Sequence, residues 1–180
     1  MTFKKQINTI LVLITLTLFT GCVKDIGLDG LTMKIDDGQL NKPSSKFPIE
    51  QDFVLANLLI KQPNVFIKDG ENRLSANVDV NLSAIFVPKT TGKLEVSGVP
   101  YFNKENSSIY LSDVTIENID FTDAKIDKNI LNSLTSNIKP ILDSVFKQVP
   151  IYTIKKDSFK GSFVKNVKIE DSELLVTFGL

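Results

Sequence analysis

The sequence predicts an α+β fold: a long, strongly curved antiparallel sheet wrapped around one long, Pro-kinked helix, plus two short helices. Three observations carry that expectation. Residues 127–149 place Ile130, Leu131, Leu134, Ile138, Ile141, Leu142, Val145, Phe146 and Val149 at the i, i+3/i+4 spacing of an amphipathic helix. Residues 74–86 alternate cleanly, Leu74, Ala76, Val78, Val80, Leu82, Ala84 and Phe86 against Ser75, Asn77, Asp79, Asn81 and Ser83. That is an antiparallel strand with one dry and one wet face. Finally, apolar parity slips from Ile109 and Leu111 to Val114 and Ile116, then to Ile119 and Phe121. Each slip of one residue marks a β-bulge, the device that bends a long sheet.

Taken in order, the chain opens with Lys4 and Lys5, an apolar run from Ile7 to Phe19, and Thr20-Gly21-Cys22. A basic start, an apolar run of about 13 residues and small residues before a cut site make a secretory signal, too short for a membrane span. Leu18-Phe19-Thr20-Gly21-Cys22 resembles a bacterial lipobox, whose cysteine is acylated and becomes the mature N-terminus. Phe19 departs from it, standing where an aliphatic residue is usual. The competing reading is an ordinary secreted protein with an incidental cysteine. Cys22 is the one cysteine of the chain, so it has no disulfide partner within it. The expected organisation is a lipoprotein signal peptide over 1–21, a tether from lipidated Cys22 over 22–31, and a single domain over 32–180. Two or three acyl chains of palmitate length, at about 0.8 kcal/mol per buried CH₂, anchor such a protein stably. Val23 occupies the place where an Asp would retain the protein at an inner membrane. In a cell with two membranes, the resemblance therefore implies the outer membrane, facing the periplasm.

Of 21 basic and 21 acidic residues, only Lys4 and Lys5 fall in the first 21, so the remainder is close to neutral, with two more acids than bases. No basic run stands out, which leaves no footprint for nucleic acid.

Leu31–Ile35 is expected as the first strand. Asp36 with Gln39 is an Asp version of the capping box and starts a short helix that ends before Pro43. Residues 44–52 are expected as a loop that folds Phe47 and Ile49 back on the core. Strand character runs from Val54 to Ile67, broken at Gln62-Pro63-Asn64, and Asp69-Gly70 marks a hairpin. After the alternating strand, Pro88–Gly92 is expected as a turn, with Leu94, Val96 and Phe102 on the next strand and Asn103–Ser107 as the next turn. The long helix would run about 34 Å. Its apolar residues fill an arc of roughly 160°, wide enough to be cradled by something concave. Pro140 costs an isolated helix roughly 3 kcal/mol, yet the apolar pattern continues on both sides, which predicts a kink. Short strands at Ile151–Ile154 and Val167–Ile169 flank a small helix near Ser158–Lys165, and Glu173–Phe178 closes the chain.

Val99-Pro100-Tyr101-Phe102-Asn103-Lys104-Glu105, followed by Ile109-Tyr110-Leu111, resembles a segment of the YceB-like lipoproteins, a family of unknown function. Pro140 inside the helix, then Phe146, Gln148, Pro150 and Tyr152, is similar to that family's helix and its exit. Val167-Lys168-Ile169 to Phe178 fits its closing strands. The resemblance spans residues 32–180 and departs at Ser107-Ser108 and in Asn41–Gln51. It implies a fold similar to the tubular lipid-binding (TULIP) group and a lipid held between helix and sheet, and it supplies no ligand residues to transfer.

The chain has no histidine and, once Cys22 is acylated, no free thiol. Ser-His-Asp and Cys-His devices and histidine metal sites are therefore excluded, and no phosphate loop or dinucleotide fingerprint occurs. Asp123 and Asp127 suit the turn before the helix and its first turn, where negative charge is favourable. No enzyme, no cofactor and no metal is expected. Two readings of function stay open. In one, an envelope lipoprotein binds a lipid or other apolar ligand in a groove lined by Ile130, Leu134, Ile138, Ile141 and Val145 of the helix and Leu74, Val78, Leu82 and Phe86 of the strand. In the other, a structural or adaptor lipoprotein docks an unknown envelope partner through its surface.

Overall fold

A computed structural model describes residues 23–53, 56–84, 87–121, 128–154 and 164–179. Among them lie, in order, β1 (Val23–Gly27), β2 (Gly30–Ile35), α1 (Asp37–Leu40), β3 (Ile49–Phe53), β4 (Ala56–Ile60), β5 (Asn64–Ile67) and β6 (Leu74–Ala84). There follow β7 (Val87–Asn103), β8 (Ser108–Phe121), α2 (Lys128–Gln148), β9 (Tyr152–Thr153), β10 (Val164–Glu170) and β11 (Glu173–Phe178).

The expected fold class, one sheet wrapped around one helix, is overturned. The described residues are mostly strand and form two antiparallel sheets. A four-stranded sheet has the order β1-β2-β11-β10, and a seven-stranded sheet has the order β3-β4-β6-β7-β8-β9, with β5 pairing β6 beside β4. Helix α2 is not an axis for the sheet but part of its wall. It lies along the edge of β8 beyond the short pairing of Ser108 and Ile109 with β9. There the Val114 amide donates to Asp143 Oδ1 at 3.2 Å and Lys139 Nζ donates to the Val114 carbonyl at 2.6 Å. Two helix side chains thus satisfy backbone groups that a strand edge would otherwise leave unpaired.

Local chemistry accounts for most elements. Asp36 Oδ1 accepts from the Gln39 amide at 2.8 Å while Gln39 reaches back to the Asp36 amide, closing the capping box of α1. Just past α1, the Asn41 side-chain amide donates to the Val65 carbonyl and its oxygen accepts from the Val65 amide, covering the outer edge of β5. Both register shifts between β7 and β8 fall where the apolar parity of β8 slips, and Asp113 takes a positive φ at the first. Residues Pro88–Gly92, expected as a turn, belong to β7. The register passes from Ala84↔Val87 to Leu82↔Thr90, one extra residue on the β7 side, so a bulge accommodates Pro88. Gly92 serves close packing and not a turn, since a β-carbon there would lie 2.6 Å from the Phe121 ring.

Part of the expected loop over 44–52 is strand β3, and within the segment expected as a tether, Val23–Gly27 forms β1. Of the second short helix expected near Ser158–Lys165, residues 158–163 lie outside the described residues, and Val164 and Lys165 open β10. Both sheets and the helix share one core, in which Leu58, Val80, Leu94, Leu111, Leu142 and Leu174 are wholly enclosed.

Candidate functional site

The apolar stripe of α2 divides into two faces. Ile138, Leu142 and Phe146 are buried in the core, while Ile141 and Val149 are half-buried. Val145 lies between them and is buried. Ile141, Val145 and Val149 look onto a cleft of about 490 Å³ that separates α2 from β3, the far edge of the seven-stranded sheet. Ile49 of β3 and Pro140 complete its apolar lining, and Lys46, Gln51, Ser144 and Gln148 are its polar lining residues. The Gln148 side-chain amide donates to Ser144 Oγ at 2.8 Å, which fixes part of that polar lining.

The chain from Lys42 to Phe47 borders the cleft at one end. Gln62 stitches it down by accepting from the Ser44 amide at 2.9 Å and donating to the Lys42 carbonyl at 3.0 Å. On its other side lies an open depression of about 850 Å³ between residues 39–46 and 150–154. A crevice of only about 30 Å³, lined by Phe47, Phe146 and Val149 among others, runs beneath this segment. Its volume is far below that of an acyl chain. A third cleft, of about 440 Å³, lies on the polar face of the four-stranded sheet. Its cations are occupied: Lys24 bonds Glu173 at 2.6 Å, Lys165 donates to the Asp29 carbonyl, and Lys168 pairs with Glu170. Hydrogen bonds from Lys24 and then Lys34 hold the Glu173 carboxyl below the usual glutamate range.

Of the expected groove residues, Ile141 and Val145 line the α2–β3 cleft. Leu74, Val78, Leu82 and Ile138 are 0 to 3% exposed, packed in the core, and face none of these three clefts. Phe86 and Cys22 lie outside the described residues, as do Asp123 and Asp127 and the side chains of Ile130 and Leu134. Ile49 and Val149 were missing from the expected groove. Their signals were present in the sequence: Val149 continues the helix stripe, and Ile49 is an apolar residue in a segment expected to fold back on the core. Asp113, in its bulge, pairs with Arg73 Nη1 at 3.1 Å. Arg73 Nε also donates to Ser97 Oγ, and Ser97 donates to Glu117, a connected polar network with a structural role.

Residues 39–171 match the model of a family described as protein of unknown function (DUF1439). An uncharacterized lipoprotein YceB of Salmonella typhimurium is 27% identical over 164 residues, covering 86% of this chain and 76% of that protein. The lipoprotein of the same name from Escherichia coli is 24% identical over the same coverage. The matched span contains the α2–β3 cleft whole and leaves out β1 and β2. The chain belongs to the DUF1439 family, and its relatives' names are consistent with an envelope lipoprotein.

Proposed function

We propose that this member of the family is an envelope lipoprotein, anchored through acylated Cys22, whose domain takes a single apolar chain in the cleft between α2 and β3. The observation that carries the reading is that cleft. Its volume of about 490 Å³ lies within the range of small-molecule sites, and its lining combines Ile49, Pro140, Ile141, Val145 and Val149 with the polar Lys46, Gln51, Ser144 and Gln148. Lys46, Ser144 and Gln148 suit a carboxylate or other polar head, with the chain lying along Ile49, Ile141 and Val149. The work is binding and not catalysis, since a chain without histidine or an available thiol lacks the commonest bases and nucleophiles. In a cell with two membranes, Val23 beside Cys22 directs the protein to the periplasmic face of the outer membrane.

The test is native mass spectrometry of residues 23–180, secreted without the anchor, followed by solvent extraction of any adduct. A stoichiometric lipid, absent when Ile141→Trp fills the cleft, supports the reading and names the ligand class. A bare mass, with no uptake of fluorescent fatty acid or phospholipid, overturns it in favour of a lipoprotein that docks an envelope partner through its surface.

A further inference from the structure

Strand β1 is exposed along its whole length, yet two of its side chains, Val23 and Ile26, are apolar. Its register carries the reason. Val23 stands opposite Met33 and Ile26 opposite Leu31, with an irregularity at Lys24 between them. Leu31 and Met33 in turn pair with Phe178 and Val176 of β11, which point into the core. Although three positions apart, Val23 and Ile26 therefore share the apolar side of the four-stranded sheet, because the irregularity restores their parity. The core does not extend beneath them. Ile26 is 73% exposed and Leu28, at the hairpin tip, is fully exposed. Lys24 faces the other way, bonded to Glu173, and Asp25 stands opposite Thr32 on that polar side. β1 is thus an amphipathic ledge that overhangs the domain.

The ledge is built, not loose. Gly27 pairs with Gly30 across a two-residue turn, Leu28-Asp29, and Lys165 donates to the Asp29 carbonyl at 3.0 Å. Gly30 has a φ of 126°, and a β-carbon there would run into the Phe178 carbonyl. The turn is seated against β11 and presents Leu28 outward.

The position of this ledge in the chain names what covers it. Cys22 is the residue immediately before β1, so no spacer separates the acyl anchor from the sheet. We infer that Val23, Ile26 and Leu28 lie against the lipid surface, so that the β1–β2 hairpin is a second membrane contact that fixes the domain's orientation. The inference rests on the proposed acylation of Cys22. From Cys22 to Leu28 an extended strand covers about 20 Å, so both contact the bilayer only if β1 lies flat along it. Among the described residues no strand pairs with the outer edge of β1. Hydrocarbon would not tolerate unpaired backbone groups, so the strand rests at headgroup depth and only side chains reach further. With Lys24 and Lys165 engaged within the protein, the contact is apolar and needs no anionic lipid.

The experiment uses the full acylated chain in phosphatidylcholine vesicles, with an environment-sensitive fluorophore on Leu28→Cys or, for comparison, on Glu105→Cys in the β7–β8 turn. Intact mass of the extracted protein reports the anchor independently. The expected result is loss of most Leu28 emission to a lipid-borne quencher, protection from aqueous iodide, and the reverse at Glu105. Adding Ile26→Asp should restore iodide access at Leu28 while acylation persists. An acylated chain whose Leu28 label is as open to iodide as that at Glu105 overturns the hairpin contact and leaves the anchor standing. A chain without acyl mass removes both.

Discussion

Helix α2 meets the two edges of the seven-stranded sheet in opposite ways. Against β8 the seam is closed: Lys139 and Asp143 bond the backbone at Val114, and Ile138, Leu142 and Phe146 are buried. Against β3 the same helix stands off, and the space between holds a cleft walled by Ile49, Ile141 and Val149. Both seams use the same kind of side chain. What separates them is the edge they face: β8 offers the helix unpaired backbone groups to satisfy, whereas the helix meets β3 only through side chains around an opening. An amphipathic stripe wider than one seam needs is how a single helix can do both.

The comparison breaks most severely in the closed interior. Val78→Asp places a carboxylate where the side chain is 1% exposed. A loss of at least about 4 kcal/mol is expected, enough to unfold the domain, and urea denaturation followed by circular dichroism would register it. One turn of helix gives the next contrast. Leu142→Ala should cost about 2–5 kcal/mol by opening a cavity in the core. Its neighbour Ile141→Ala, on the open side, should cost under about 1.5 kcal/mol and weaken uptake of a fluorescent fatty acid. Equal stability losses for the two variants would show that the β3 seam is as tightly packed as the other. Asp143→Ala leaves the Val114 amide without its acceptor, at about 1–3 kcal/mol. Faster hydrogen exchange at Val114, with ligand uptake unchanged, is the expected outcome.

The smallest effect lies away from the helix, at the ledge. The Glu173 carboxyl is held low by Lys24 and Lys34, so its contribution is complete above the ordinary glutamate range and is lost as pH falls through the lowered value. The Lys24 ammonium is raised chiefly by its hydrogen bond to Glu173, so its contribution holds below the ordinary lysine range and is lost as pH rises past the raised value. The pairs are exposed and individually weak. Acid should therefore loosen β1 before it affects either seam of α2, seen as exchange increasing at Gly27, whose pair with Gly30 is a hydrogen-bonded one, while Leu142 stays protected.

The sequence made legible whatever depends on near neighbours. The alternation of residues 74–84, the Asp36–Gln39 capping box and the bulges of β8 are all local patterns with local causes. Partnership is not local. Periodicity tells which face of a strand is dry and says nothing of the strand beside it, so the division into two sheets was hidden. β1 is not visible as a strand in the sequence, where the stretch after Cys22 reads as a tether: its two apolar side chains sit three apart, a spacing that makes sense only once the irregularity at Lys24 is known. Gly92 looked like a turn because the ring that packs over it belongs to Phe121. The cleft escaped for a related reason: the stripe of α2 was complete in the sequence, but only the position of β3 decides which part of it remains uncovered.

The pairing of β2 with β11 also sets an order of events. Thr32 and Thr177 share a hydrogen bond at 3.1 Å across 145 positions of sequence. Until residues 174–178 have been made, β2 has only β1 beside it, and a two-stranded hairpin is marginal in water. Closing so long a loop costs little more entropy than a shorter one, but it is slow. During synthesis this sheet therefore stays open until its partner strand β11 has been made. β1, at the far side of β2 from β11, becomes fixed only once residues 174–178 are in place.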